Sequence, residues 1–139
     1  MELRCALTFH NQKEKRRKKV RNKKLTRHFI KQKMNQYELT LAQGEHKKAF
    51  SMLEDAHVIG QQSTYFHCLV HYKMLRHGLR YRDFREVFGQ IVRLVGAFTK
   101  TAIGLVPIGN TGGVNVSPFK SMPVSRENQV ILDEIEGVG

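Results

Sequence analysis

Between Phe84 and Ala102 the apolar residues recur with a helical period. Phe84, Val87, Phe88, Ile91, Val92, Val95, Phe98 and Ala102 form one continuous stripe, and Arg82, Glu86, Arg93 and Lys100 fall on the opposite side. At about 100° per residue this is an amphipathic α-helix of about five turns. Burying eight such side chains, at roughly 1.5–3 kcal/mol for each large one, would make the stripe a major share of the core.

The same period recurs upstream, punctuated by glycine. Leu25, Phe29, Ile30, Met34, Tyr37 and Leu41 share one helix face, which Gly44 ends. A second helix runs from about Glu45 to Ile59 and breaks at Gly60; Ala49, Phe50, Leu53 and Ala56 share its apolar stripe, with His57 at the centre. A third starts at Ser63 or Thr64, either a suitable N-cap. It is apolar nearly all round, hence central, and it stops after His77 at Gly78. Residues 104–125 hold four glycines and all three prolines and read as a loop. A short helix, 126–136, follows with Ser125 as N-cap and presents Val130, Ile131 and Ile135. The expected fold is all-α: two stacked helical hairpins, tetratricopeptide-like or a four-helix bundle, plus a glycine-rich loop and a short C-terminal helix.

The chain has 139 residues and a formal net charge of +12, which looks like a nucleic-acid signal until it is located. Residues 13–33 hold twelve Lys/Arg against one acid, Glu14; residues 34–139 hold eleven against ten. The basicity therefore belongs to an arm. Residues 1–24 are expected to be disordered or a fraying helix, and 25–139 to form a single helical domain. Lys13–Lys33 is a candidate contact for nucleic acid or an anionic surface. The arm has no aromatic residue between Lys13 and Arg27 for base stacking. No apolar run reaches the roughly 18 residues of a membrane span. Cys5 and Cys68 stand alone, which suggests a reduced, cytoplasmic setting.

Gly44 and Gly78 lie 34 residues apart, as do Leu41 and Leu75, and Phe50 and Phe84. Thirty-four is the tetratricopeptide period, and LAQGEHKKAF resembles that family's turn. Asp83 stands where a second copy of Ala49 would fall, and there are two units only. This reading implies a groove for a protein partner.

Three of the seven histidines cluster at one predicted turn. His67 and His71 are an i, i+4 pair on one helix face, and the turn at Gly60–Gln62 brings His57 back beside them. Three imidazoles with an open position suit a divalent metal such as Zn²⁺ or Fe²⁺. Glu54 and Cys68 are further candidate ligands, and Gln61 and Gln90 are polar neighbours. A buried hydrogen-bond network or a proton-transfer site would use the same residues. An enzyme reading would use Glu54 as general base for metal-bound water, and no second group fixes a reaction class. The loop Gly109, Asn110, Thr111, Gly112, Gly113 permits positive φ and exposed N–H groups that could hold an anion. A turn packing the C-terminal segment over the bundle, or closure over a ligand, are its other readings.

AHVIGQ at 56–61, the H-x₃-H-x₂-ML run at 67–75, RDFREVFGQIVR at 82–93 and GNTGGVNVSPFKSMPV at 109–124 resemble a small bacterial family of unknown function. Its hallmark strings are AHVLGQ and GNTGG-x-NVS. The resemblance covers roughly Leu25 to Leu132 and leaves the basic arm outside. It implies a short soluble helical protein, a loose association with heavy-metal resistance gene neighbourhoods and no established activity. Its motifs fall here on His57, Gly60, Gln61, His67, His71, Gln90 and Gly109–Gly113.

Overall fold

A computed structural model describes the backbone of residues 2–102, 108–118 and 120–138, with side chains for all of these except 2–10 and 97–102. Five α-helices and no strand occur among them: α1 Glu2–Ala42, α2 His46–Gly60, α3 Thr64–Tyr81, α4 Phe84–Ala102 and α5 Arg126–Glu136. The all-α expectation holds. Residues 104–107 and Phe119 of the expected loop lie outside the described residues.

Consecutive helices pack as neighbours, α1 on α2, α2 on α3 and α3 on α4, while α5 lies against α1 and α2. The C-terminal half of α1 carries the apolar face read from the sequence. Tyr37 and Leu41 join Ala49, Leu53, Ala56, Val70 and Met74 in one buried cluster, and Ile30 joins Ile59, Phe66 and Ile135 in a second. The N-terminal half extends the same helix through the basic stretch, where residues 11–21 are exposed and add nothing to the core.

The docking of α5 is polar as well as apolar. Lys33, almost fully buried, reaches Asp55 at 3.0 Å and Glu127 at 2.6 Å. Burial pulls its pKa down, yet the bonds to Glu127 and Asp55 outweigh it and leave the ammonium above its ordinary value. Asn128 donates to the same Asp55 at 2.8 Å. The α5 N-cap is as expected: Ser125 Oγ accepts from the Asn128 N–H at 3.2 Å. Ser63 occupies the N-cap position of α3 but makes no capping side-chain bond.

Two expectations are corrected. Gly78 does not stop α3, which runs on to Tyr81 and ends at Arg82 in the left-handed region, φ 56°. Gly78 instead allows close approach: a Cβ there would lie 3.1 Å from Val87 Cγ2 and 3.3 Å from the Asp83 carbonyl oxygen. The positions paired by the 34-residue spacing also differ in role, since Gly44 turns the chain at φ +79° while Gly78 lies within a helix.

The larger correction concerns α4. Its apolar stripe does not build the core: Phe84 and Phe88 are each 71% exposed, Val95 66%, Val92 56% and Ile91 49%. The face turned inward is the polar one, with Glu86 at 5% and Gln90 at 0% exposure. Phe98, Lys100 and Ala102 have side chains outside the described set. The orientation follows from what α4 packs against, namely a polar centre that needs hydrogen-bonding partners.

Candidate metal centre

His57 sits in the last turn of α2, and His67 and His71 lie one turn apart on α3. The short connection from Gly60 to Ser63, held by the Ser63 N–H to Gly60 carbonyl bond of 2.9 Å, folds the two helices together. All three imidazoles are buried. Their ring centroids form a near-equilateral triangle of 4.6, 4.7 and 4.8 Å, and one nitrogen from each falls within 4.8 Å of the others.

The hydrogen bonds fix which nitrogens face inward. His57 Nδ1 lies 2.7 Å from the Asn110 carbonyl oxygen, so it carries the proton and donates. His71 Nδ1 lies 2.6 Å from Gln90 Oε1. That amide is oriented by its other end, for Gln90 Nε2 donates to Glu86 Oε1 at 2.5 Å and to the Gly112 carbonyl at 2.8 Å. His71 Nδ1 therefore donates too. Each neutral ring is left with a bare lone pair on Nε2, and these two Nε2 atoms lie 3.2 Å apart. His67 Nε2 stands 3.1 Å from His71 Nε2. A single lone pair on His71 can accept one proton, so the contact with His57 remains lone pair against lone pair.

A shared proton would relieve that contact only by charging a buried ring. Burial, with the neighbouring His71 and His67, holds His57 well below the ordinary imidazole range. Burial lowers His71 to about 3, helped by His67, and burial alone lowers His67 to about 4. At neutral pH all three rings are neutral, the form in which imidazole is a metal ligand. Two nitrogens bound at 2.0–2.1 Å in a tetrahedral shell stand about 3.3 Å apart, close to both Nε2 separations.

The glycine-rich loop holds the histidine cluster from one side through its carbonyls. It presents carbonyls to the centre, from Asn110 to His57 and from Gly112 to Gln90. Within the loop the Gly112 N–H donates to Asn110 Oδ1, and just beyond it Val114 donates to Glu86 Oε2 and Val116 to the Gly113 carbonyl. Asn110 also ties the loop together, donating through Nδ2 to the Ser117 and Lys120 carbonyls at 2.8 and 2.7 Å. Gly109 turns at φ +72° and Gly112 at φ +79°. A Cβ on Gly112 would sit 2.8 Å from the His57 ring, so glycine is required by both conformation and space.

Glu54 and Cys68 lie outside the converging set. Glu54 is near the loop, where a Cβ on Gly113 would meet its Oε1 at 2.8 Å. Burial pushes its carboxyl above the usual range, with the Thr111 hydroxyl opposing and Glu86 adding to the rise. Cys68 is half-buried with its thiol raised by burial. Gln61, one turn beyond His57, is buried with an Oε1 that has no hydrogen-bond partner among the described residues.

The family described as protein of unknown function (DUF3703) matches residues 24–132. The chain belongs to that family. The match takes in all three histidines, Gln90 and the loop, and it begins after most of the basic stretch. Comparison with curated proteins and with solved structures finds no match. Sequence reasoning passed over Glu86, whose carboxylate joins Gln90 to the loop, because it was assigned to the solvent face of α4.

Proposed function

We propose that this DUF3703 chain is a small helical metal-binding protein that holds one divalent transition-metal ion, Zn²⁺ or Fe²⁺, on His57, His67 and His71. One observation carries the reading. The His57 and His71 Nδ1–H groups are committed to carbonyl oxygens, which leaves two bare Nε2 lone pairs facing each other at 3.2 Å in a buried site. A cation between them converts a repulsive contact into two bonds. Ligating histidines commonly donate their other N–H to such an oxygen, and that bond sets ring orientation and basicity. Imidazole nitrogens favour zinc, iron, copper or nickel over calcium and magnesium. Glu86 reaches His71 only through Gln90, and Gln61, buried one turn beyond His57 with an unpartnered Oε1 among the described residues, is the group suited to a ligand on the open coordination position.

Calorimetric titration of the chelator-stripped chain with Zn²⁺ tests this. One site per chain is expected, with heat lost in His67→Ala/His71→Ala. Absence of a site in the wild type, or equal binding by the double variant, would reject it.

A further inference from the structure

The exposed face of α4 has a repeat that an ordinary surface helix lacks. Phe84, Phe88, Ile91 and Val95 are spaced by four, three and four, and Phe98 and Ala102 continue the series in sequence by three and four. This is the 3.5-residue period of a helix–helix seam, with apolar residues at the a and d positions. The positions opposite the seam are Glu86, Gln90 and Arg93, committed to the body of the protein: Glu86 and Gln90 through the bonds above, Arg93 through its guanidinium to the Val116 carbonyl. The helix thus has one face used inside the chain and a second, ordered apolar face directed outward.

We infer that a second copy of this chain covers that face, with α4 packed antiparallel on α4 about a two-fold axis near Ile91. Two observations favour a copy over an unlike partner, and the area admits it. The seam is self-complementary in the antiparallel sense, since an axis at Ile91 and Val92 sets Phe88 of one copy against Val95 of the other, large against small. Among the residues with described side chains, its flanks carry a single charge, Arg85, against Val87, Val92 and Leu94. Antiparallel pairing holds the two Arg85 side chains far apart, so self-association meets no like-charge contact there. The area is adequate as well. Two phenylalanines and three aliphatic residues at the observed exposures offer on the order of 500 Å² per copy, and the pair reaches the roughly 1,000 Å² that marks a specific interface. An isologous contact of this kind closes on itself and stops at the dimer.

The inference is independent of the metal, and the experiment keeps them apart by working in chelator as well as in Zn²⁺. Sedimentation equilibrium of the full chain at micromolar concentration should give twice the 16.1 kDa chain mass in both conditions. Phe88→Glu should halve that mass with helix content unchanged by circular dichroism, whereas Leu79→Glu, at another exposed apolar residue, should not. If the glutamate variant aggregates, Ile91→Cys with Cys5 and Cys68 replaced by serine should form an interchain disulfide on oxidation, as a residue beside the two-fold axis must. A monomeric wild-type chain, or a dimer that Phe88→Glu leaves intact and Ile91→Cys does not cross-link, overturns the inference.

Discussion

At the scale of single residues, the arrangement of the three histidines depends on groups outside the proposed ligand set. Gln90 is the best case: its carbonyl holds the His71 Nδ1–H, and its amide is held by Glu86 and Gly112. Replacing it with leucine frees the His71 ring to change tautomer. Gln90→Leu is expected to lower Zn²⁺ affinity about 10- to 100-fold with one site retained, which calorimetry reads directly. Gly112 is the second case. Alanine there would be strained at φ +79° and would press on the His57 ring. Gly112→Ala should cost on the order of 1–3 kcal/mol in urea unfolding, and metal affinity should fall with it.

At the scale of elements, α2 and α3 bring the three histidines together, and α4 and the loop supply what orients them. The first pair was legible in the sequence. An i, i+4 histidine pair must share a face, and a three-residue connection after Gly60 must return the chain beside it. Helix number and the α5 cap were legible for the same local reasons. The facing of α4 was not. Amphipathicity tells that a helix has two faces but not which one meets the protein, and the usual rule fails where the interior is a polar centre. Gly78 misled likewise, because glycine serves close packing as well as termination, and the approach of Val87 and Asp83 shows which applies. The role of Lys33 depends on residues 22 and 94 positions away, beyond any local pattern. It pins α5 to α1 and α2. Its acid partners are 27% and 69% exposed, so water would partly take its place. Lys33→Ala is therefore expected to destabilise by about 1–3 kcal/mol, below the loss of a fully buried pair, as thermal unfolding would show.

At the scale of the whole molecule, the centre links stability to pH. His67 and His71 titrate near 4 and 3 in the fold and near 6.5 when unfolded, and His57 is depressed in the same direction. Below pH 6.5 the unfolded chain takes up protons that the native state refuses. Stability of the metal-free chain is thus fully present above about pH 6.5 and should fall progressively towards pH 3–4. Urea midpoints across that range would show it, and a triple variant with the three histidines replaced by glutamine should have a flatter profile. Bound metal should raise stability at neutral pH by about 2.7 kcal/mol at a free concentration one hundred times Kd, and that gain should vanish over the same acid window.

The most direct test of the central claim is X-ray absorption at the zinc edge of the loaded chain. Three imidazole nitrogens at about 2.0–2.1 Å are expected, with the remaining coordination from oxygen. A sulfur shell at about 2.3 Å, which would place Cys68 on the ion, or fewer than three imidazoles, would contradict the account.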